Sequence, residues 1–134
     1  MVGGESDQGE GLRLPRVAVP SVMKAMTGVR QVQLALLLTD LGAPCVIAGG
    51  TARLLRGATH IPRDLDLVVT RRETTQMRAI LQRFAIRSSR ARHADMFGWS
   101  VSTSWGQVDV FVQDDLPGWH LVEVDGLEMR VADE

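Results

Sequence analysis

Apolar residues Val22, Met26, Val29, Leu36, Leu37 and Leu41 recur at helical spacing and predict a helix over 21–41, stopped by Gly42 and Pro44. The apolar run 45–48 reads as a short buried strand. Gly49-Gly50 breaks it, and 51–56 reads as a short helix ending at Gly57. A loop over 58–62 leads into a strand over 63–69. Thr70 with Glu73 three residues on has the form of a capping box, and Met77, Ile80, Leu81 and Phe84 carry the following helix to about residue 84. The Arg-rich stretch 86–94 fits an irregular strand. Segments 97–104 and 107–113 pair as a hairpin about Trp105-Gly106. A second hairpin joins 121–124 to 127–131 through Asp125-Gly126, a dipeptide suited to a two-residue turn. This order predicts a mixed α/β (α+β) domain over 18–134, preceded by a flexible tail over 1–17.

Length and composition narrow the class. The chain has 134 residues, 45% of them hydrophobic, which suits one domain with a real core and leaves no room for two. No apolar run approaches the roughly 20 residues that span a bilayer. The acidic, Gly-rich start lacks the basic and apolar regions of a secretion signal, and the single Cys45 cannot form an internal disulfide. A soluble cytoplasmic protein with Cys45 in its core is the expectation. Net charge is only −1, but residues 53–92 hold ten Arg against three acids, whereas 93–134 hold Arg130 against nine acids. The middle of the chain therefore suits an anionic partner. Fourteen of the fifteen basic residues are Arg, whose planar fork grips phosphate oxygens in pairs, although codon bias accounts equally well for the surface ones.

The candidate chemistry begins at Arg63-Asp64-Leu65-Asp66-Leu67-Val68-Val69. Residues two apart on a strand share a face, so Asp64 and Asp66 would project together while Leu65, Leu67 and Val69 enter a core. Two carboxylates on an apolar strand repel, and a divalent cation with hard oxygen ligands removes the conflict. Taken alone, the motif fits equally an edge strand with a solvated acidic face. Ahead of it, a strand runs into Gly49-Gly50 and a helix start, an arrangement suited to phosphate, although a plain Gly-Gly turn capped by Thr51 explains that segment as well. Asp109 is a third acid within the apolar strand 107–112; it would either complete a two-metal site or face solvent at a sheet edge. His60, His93 and His120 have no metal-ligand spacing, and no P-loop pattern is present. The basic segment 88–93 lacks interleaved aromatics, and at least two of Trp99, Trp105 and Trp119 are expected in the core.

In this order and spacing, the three pieces resemble the nucleotidyltransferase superfamily that includes DNA polymerase β. Gly49-Gly50-Thr51-Ala52 followed by Asp64-Leu65-Asp66-Leu67 is most similar to its small bacterial branch, which contains the AbiEii- and MenT-type toxins of toxin–antitoxin systems. The resemblance spans roughly 21–131, with its sharp motifs confined to 46–69 and 107–112. It implies a mixed, mostly antiparallel sheet with helices packed mainly against one face. It implies Mg²⁺-dependent transfer of a nucleoside monophosphate from an NTP to an acceptor hydroxyl, with release of pyrophosphate. Asp64, Asp66 and Asp109 would hold the metals, two Mg²⁺ or Mn²⁺, and Asp109 would assist deprotonation of the acceptor. Gly49, Gly50 and Thr51 would hold the triphosphate, and Arg63 would reach a phosphate.

The acceptor implied first is an RNA 3′ end, especially tRNA; a protein hydroxyl or a small molecule stays open. Two features depart from the family pattern. His60 and Pro62 stand where the family often has Arg and Ser or Thr, so one phosphate contact would be either missing or supplied by Arg53 or Arg56. The toxin branch also carries a helical C-terminal region beyond the point matching Glu134. Its lack would make the chain either a minimal enzyme or a domain working with a partner such as a cognate antitoxin. The alternative expectation is therefore a non-catalytic, antitoxin-like or nucleotide-sensing module of the same fold.

Overall fold

The computed structural model describes residues 28–89 and 98–134. Its elements are α1 (Arg30–Asp40), β1 (Val46–Ala48), α2 (Gly49–Leu55), β2 (Leu65–Thr70), a 3₁₀ turn (Arg71–Glu73), α3 (Thr74–Gln82), β3 (Ala85–Ser89), β4 (Gly98–Thr103), β5 (Gly106–Gln113), β6 (Trp119–Val124) and β7 (Leu127–Ala132). The seven strands form one sheet in the order β3-β4-β5-β2-β1-β7-β6. Two pairings, β2 with β5 and β1 with β7, are parallel and the other four are antiparallel. The fold is thus a mixed α/β domain with a mostly antiparallel sheet, as expected.

Alternation along the central strands sets the two faces of the sheet. Leu65, Leu67 and Val69 of β2 lie level with Val108, Val110 and Val112 of β5, and β4 adds Trp99 and Val101 to the same face. Apart from Val112, which is half-buried and packs against it, these residues belong to one buried cluster with Val32, Leu34, Ala35 and Leu38 of α1 and Met77 and Leu81 of α3. Each fully buried leucine there contributes about 1.5–3 kcal/mol relative to exposure. α1 contacts β7, α2 contacts β1, β2 and β7, and α3 contacts β2.

The boundaries differ from expectation where tertiary contacts override local pattern. Within the described residues α1 begins at Arg30; the expected turns before residue 28 lie outside them. Its end is as predicted: Gly42 takes φ +74, and the Ala43 N–H donates to Leu38 O, the closure that a left-handed glycine permits. Helix α2 starts at Gly49 itself, so Thr51 is inside its first turn and is not the cap. Thr70 donates its hydroxyl to the Glu73 carboxylate at 3.0 Å instead of capping a backbone N–H, and a 3₁₀ turn precedes α3. Both hairpins form, and Asp125 (φ +52) with Gly126 (φ +82) makes the tight turn that their residue types favour. In the Arg-rich stretch, β3 covers 85–89 with an irregularity between Ala85 and Arg87, and the remainder to residue 97 lies outside the described residues.

Cys45 is buried, as expected of a core residue. Trp99 is buried, and Trp105 packs edge-on against Phe84 with ring centroids 5.7 Å apart. No described helix is long and apolar enough to cross a membrane.

Candidate functional site

Strand β2 is the middle strand of the seven, and β5 is its neighbour, so neither Asp66 nor Asp109 stands on a sheet edge. The edge-strand explanation of the two acids is thereby removed. Asp66 and Asp109 are direct Cα partners across the parallel pair, with Ala48 beside Asp66 and Ser100 beside Asp109. Neighbouring strands are about 4.8 Å apart, and paired residues share a face, so the two carboxylates project side by side away from the leucine-valine face. Both are only half-buried.

Their surroundings differ. Asp109 Oδ1 accepts from Ser100 Oγ at 2.6 Å and from Gln107 Nε2 at 2.8 Å. Asp66 is pressed by backbone: Gly49 has φ +61, and a Cβ built on it would fall on the Asp66 carboxylate. Burial pushes the Asp66 carboxyl up to about 6, helped by the negative charges of Asp109 and then Asp64 and opposed by Arg53. Glycine is required at 49 both for its positive φ and for this approach of the chain to a carboxylate.

Asp64 departs from the simple strand picture. It lies on a bend before β2 begins, beyond the last β1 pairing at Asp66 and the last β5 pairing at Leu65. Period-two alternation therefore does not carry through to Asp64. Its charge still acts on Asp66, and its backbone is tied down: Thr51 Oγ1 donates to the Asp64 carbonyl at 3.3 Å, and Gln31 Nε2 donates to the Arg63 carbonyl at 2.9 Å. Thr51 is fully buried and its hydroxyl is committed to that loop. Gly50 packs beneath Pro62, whose Cβ would lie 3.1 Å from a Cβ at position 50. Arg63 and Arg53 are exposed. Arg56, one turn on from Arg53, donates to the Ala132 carbonyl of β7 at 2.5 Å, which leaves Arg53 as the α2 arginine that acts on Asp66.

The donor set is chemically apt for a hard divalent cation: half-buried carboxylates, one of them resisting ionisation, and all ligands oxygen. Asp66 and Asp109 form the facing pair, with Asp64 as a neighbour. Among the described residues no three His, Cys, Asp or Glu side chains close into a ligating group. His60 is exposed, and His120 Nδ1 lies 2.7 Å from Asp133 Oδ1, away from the acids. A cavity of about 200 Å³ touches Cys45, Ile47 and Leu67, so it opens on the face opposite Asp66 and is separate from this site.

Ser100, Gln107 and Gln31 were not among the residues singled out from sequence. Gln107 was findable, since it lies two positions before Asp109 on one strand. Ser100 required the hairpin register, which pairs Thr103 with Gly106 and so 100 with 109. Compared with known proteins, the chain matches no protein family, no curated protein and no solved structure at a significant level.

Proposed function

We propose that this chain is a Mg²⁺-dependent nucleotidyltransferase of the polymerase β-like fold, moving a nucleoside monophosphate from an NTP to an acceptor hydroxyl. The observation that carries the reading is the registered pair Asp66–Asp109 on two central parallel strands, with Gly49 backbone against one carboxylate. Such a pair has no stabilising role of its own, because like charges side by side oppose each other. The finer fold assignment, helices mainly on one face, is supported by the shared cluster of α1, α3 and the leucine-valine face, which leaves the carboxylates on the other.

In this reading Asp66 and Asp109, with Asp64, hold the cation, and Gly49, Gly50 and Thr51 present backbone N–H groups toward the triphosphate. Exposed Arg53 and Arg63 meet phosphate oxygens. A cation held there would neutralise phosphate charge. The acceptor oxygen bonds to the α-phosphorus, the bond from that phosphorus to the α–β bridging oxygen breaks, and pyrophosphate leaves; Asp109 assists removal of the hydroxyl proton. The Arg-rich middle of the chain favours an RNA 3′ end, tRNA first, as acceptor. A cytoplasmic setting goes with that acceptor.

A second reading is a non-catalytic, antitoxin-like or nucleotide-sensing module that acts through a partner protein. One observation favours it: the Thr51 hydroxyl is occupied by the Asp64 carbonyl. The deciding experiment incubates the protein with each α-³²P-labelled NTP, Mg²⁺, total bacterial RNA and lysate, beside an Asp66→Asn control. Label in an RNA or protein band that the control lacks establishes transfer. Mg²⁺-NTP binding without label in any band establishes the second reading.

A further inference from the structure

Asp109 stands between two neighbours of opposite effect. On β5's one side, Ser100 of β4 is its Cα partner and donates to it; on the other, Asp66 of β2 is its partner and repels it. Gln107, two residues back on the same strand and face, donates as well. Both donors land on one oxygen, Oδ1. The carboxyl group cannot turn about its Cβ–Cγ bond without stretching both bonds, and Oδ2 takes part in neither.

We propose that Ser100 and Gln107 are positioning residues that hold Asp109 through Oδ1, which would leave Oδ2 for a divalent cation held by Asp109 and Asp66. This inference rests on the cation-site reading of the acids given above. The two donors do for a carboxylate what outer partners do for metal ligands generally: they fix its orientation before the cation arrives, so less ordering is left for the binding step. They also hold the Asp109 charge against rotation away from Asp66, which the repulsion between the two would otherwise drive. The roles are unequal. Ser100 is half-buried and competes little with water, whereas Gln107 is exposed and its bond is more easily exchanged. Losing Ser100 therefore costs more.

The test is a Mn²⁺ titration of the full chain, read from the electron paramagnetic resonance signal of free Mn²⁺, with melting temperatures taken in EDTA. Outer partners of metal ligands are typically worth a factor of 10–100 in affinity. Ser100→Ala is expected to raise the Mn²⁺ Kd about tenfold, Gln107→Met by a smaller factor, and Ser100→Thr, which keeps the hydroxyl, to restore affinity to near that of the native chain. A merely structural role would lower the melting temperature in EDTA without a matching change in Kd, and that result overturns the proposal. Should Ser100→Ala fold poorly, the exposed Gln107→Met variant decides alone. If the native chain binds Mn²⁺, Asp109→Asn loses it, and both donor variants bind like the native chain, the positioning role is wrong while the cation site stands. If the native chain binds no Mn²⁺, or Asp109→Asn binds it unchanged, the cation site itself is wrong, and the positioning role falls with it.

Discussion

Replacing Asp66 by Asn keeps the shape of the side chain and removes its charge, so it measures what the acid costs the fold. Burial, Asp109 and Asp64 together push the Asp66 carboxyl from its ordinary 3.8 up to about 6. An acid whose pKa is raised on folding is more protonated in the native chain than in the unfolded one between those two values. Stability therefore falls as pH rises through this window and is lowest, and level, above it. Taken at face value the shift corresponds to roughly 3 kcal/mol at 1.36 kcal/mol per unit. Asp66 is only half-buried, and solvent screening reduces this to about 1–1.5 kcal/mol. In EDTA at pH 8, Asp66→Asn is expected to melt about 3–6 °C above the native chain, at a few degrees per kcal/mol for a domain of this size. At pH 4.5 the advantage should be clearly smaller, because the native carboxyl is then partly protonated. Millimolar Mg²⁺ should raise the melting temperature of the native chain by mass action and leave the variant unmoved. Differential scanning calorimetry at the two pH values, with and without Mg²⁺, gives all four numbers. A variant that is less stable than the native chain at pH 8 in EDTA would refute the reasoning, since it would mean the charge is already compensated within the protein.

Gly49→Ala should cost at least about 2 kcal/mol in urea denaturation, combining left-handed strain of about 1–2 kcal/mol with displacement of the Asp66 carboxylate; a cost under about 0.5 kcal/mol would show that the turn relaxes freely. Burial pushes the Cys45 thiol up to about 12, so at pH 8 it should resist iodoacetamide in the native protein and react once unfolded; stoichiometric native labelling contradicts the packing. Leu67→Ala, at the buried centre of β2, should destabilise by about 2–5 kcal/mol in the same denaturation assay, and a smaller loss would mean that the leucine-valine face is loosely packed.

What the sequence disclosed follows the reach of each interaction. The two hairpins were legible because turn and register are local: Asp125-Gly126 takes the positive φ values its residue types allow, and the alternation of Val108 and Val110 with Asp109 shows which side chains turn inward. Asp66 was legible for the same reason. Asp64 was not, because where β2 begins is fixed by its pairings with distant strands, which reach Asp66 on β1 and Leu65 on β5. The parallel contact that sets Asp66 against Asp109 joins distant parts of the chain and cannot be read from periodicity. The commitments of Thr51 to the Asp64 carbonyl and Arg56 to the Ala132 carbonyl were hidden likewise, since both are contacts between side chains and remote backbone. Arg90, Arg92 and His93, part of the expected basic segment, lie outside the described residues.

The balance between the two readings of function turns on the middle of the sheet. On an edge strand an acid is a common device against aggregation, because it is solvated and repels other edges. Asp66 and Asp109 have no such use, being flanked by strands on both sides. A polar but neutral pair, such as Asn or Ser, would fill the same space without the burial of charge and the repulsion from Asp109 that together raise Asp66 to about 6. The site instead keeps two charges together, ties one of them through Ser100 and Gln107, and brings the bare backbone of Gly49 against the other. The ties orient a carboxylate, which matters only if something is to be oriented toward. A partner-binding module gains nothing from that arrangement, whereas a cation recovers the cost of the repulsion on binding. On these grounds we propose the ion and its phosphate ligand, not a surface for another protein, as the reading of the pair to be tested first.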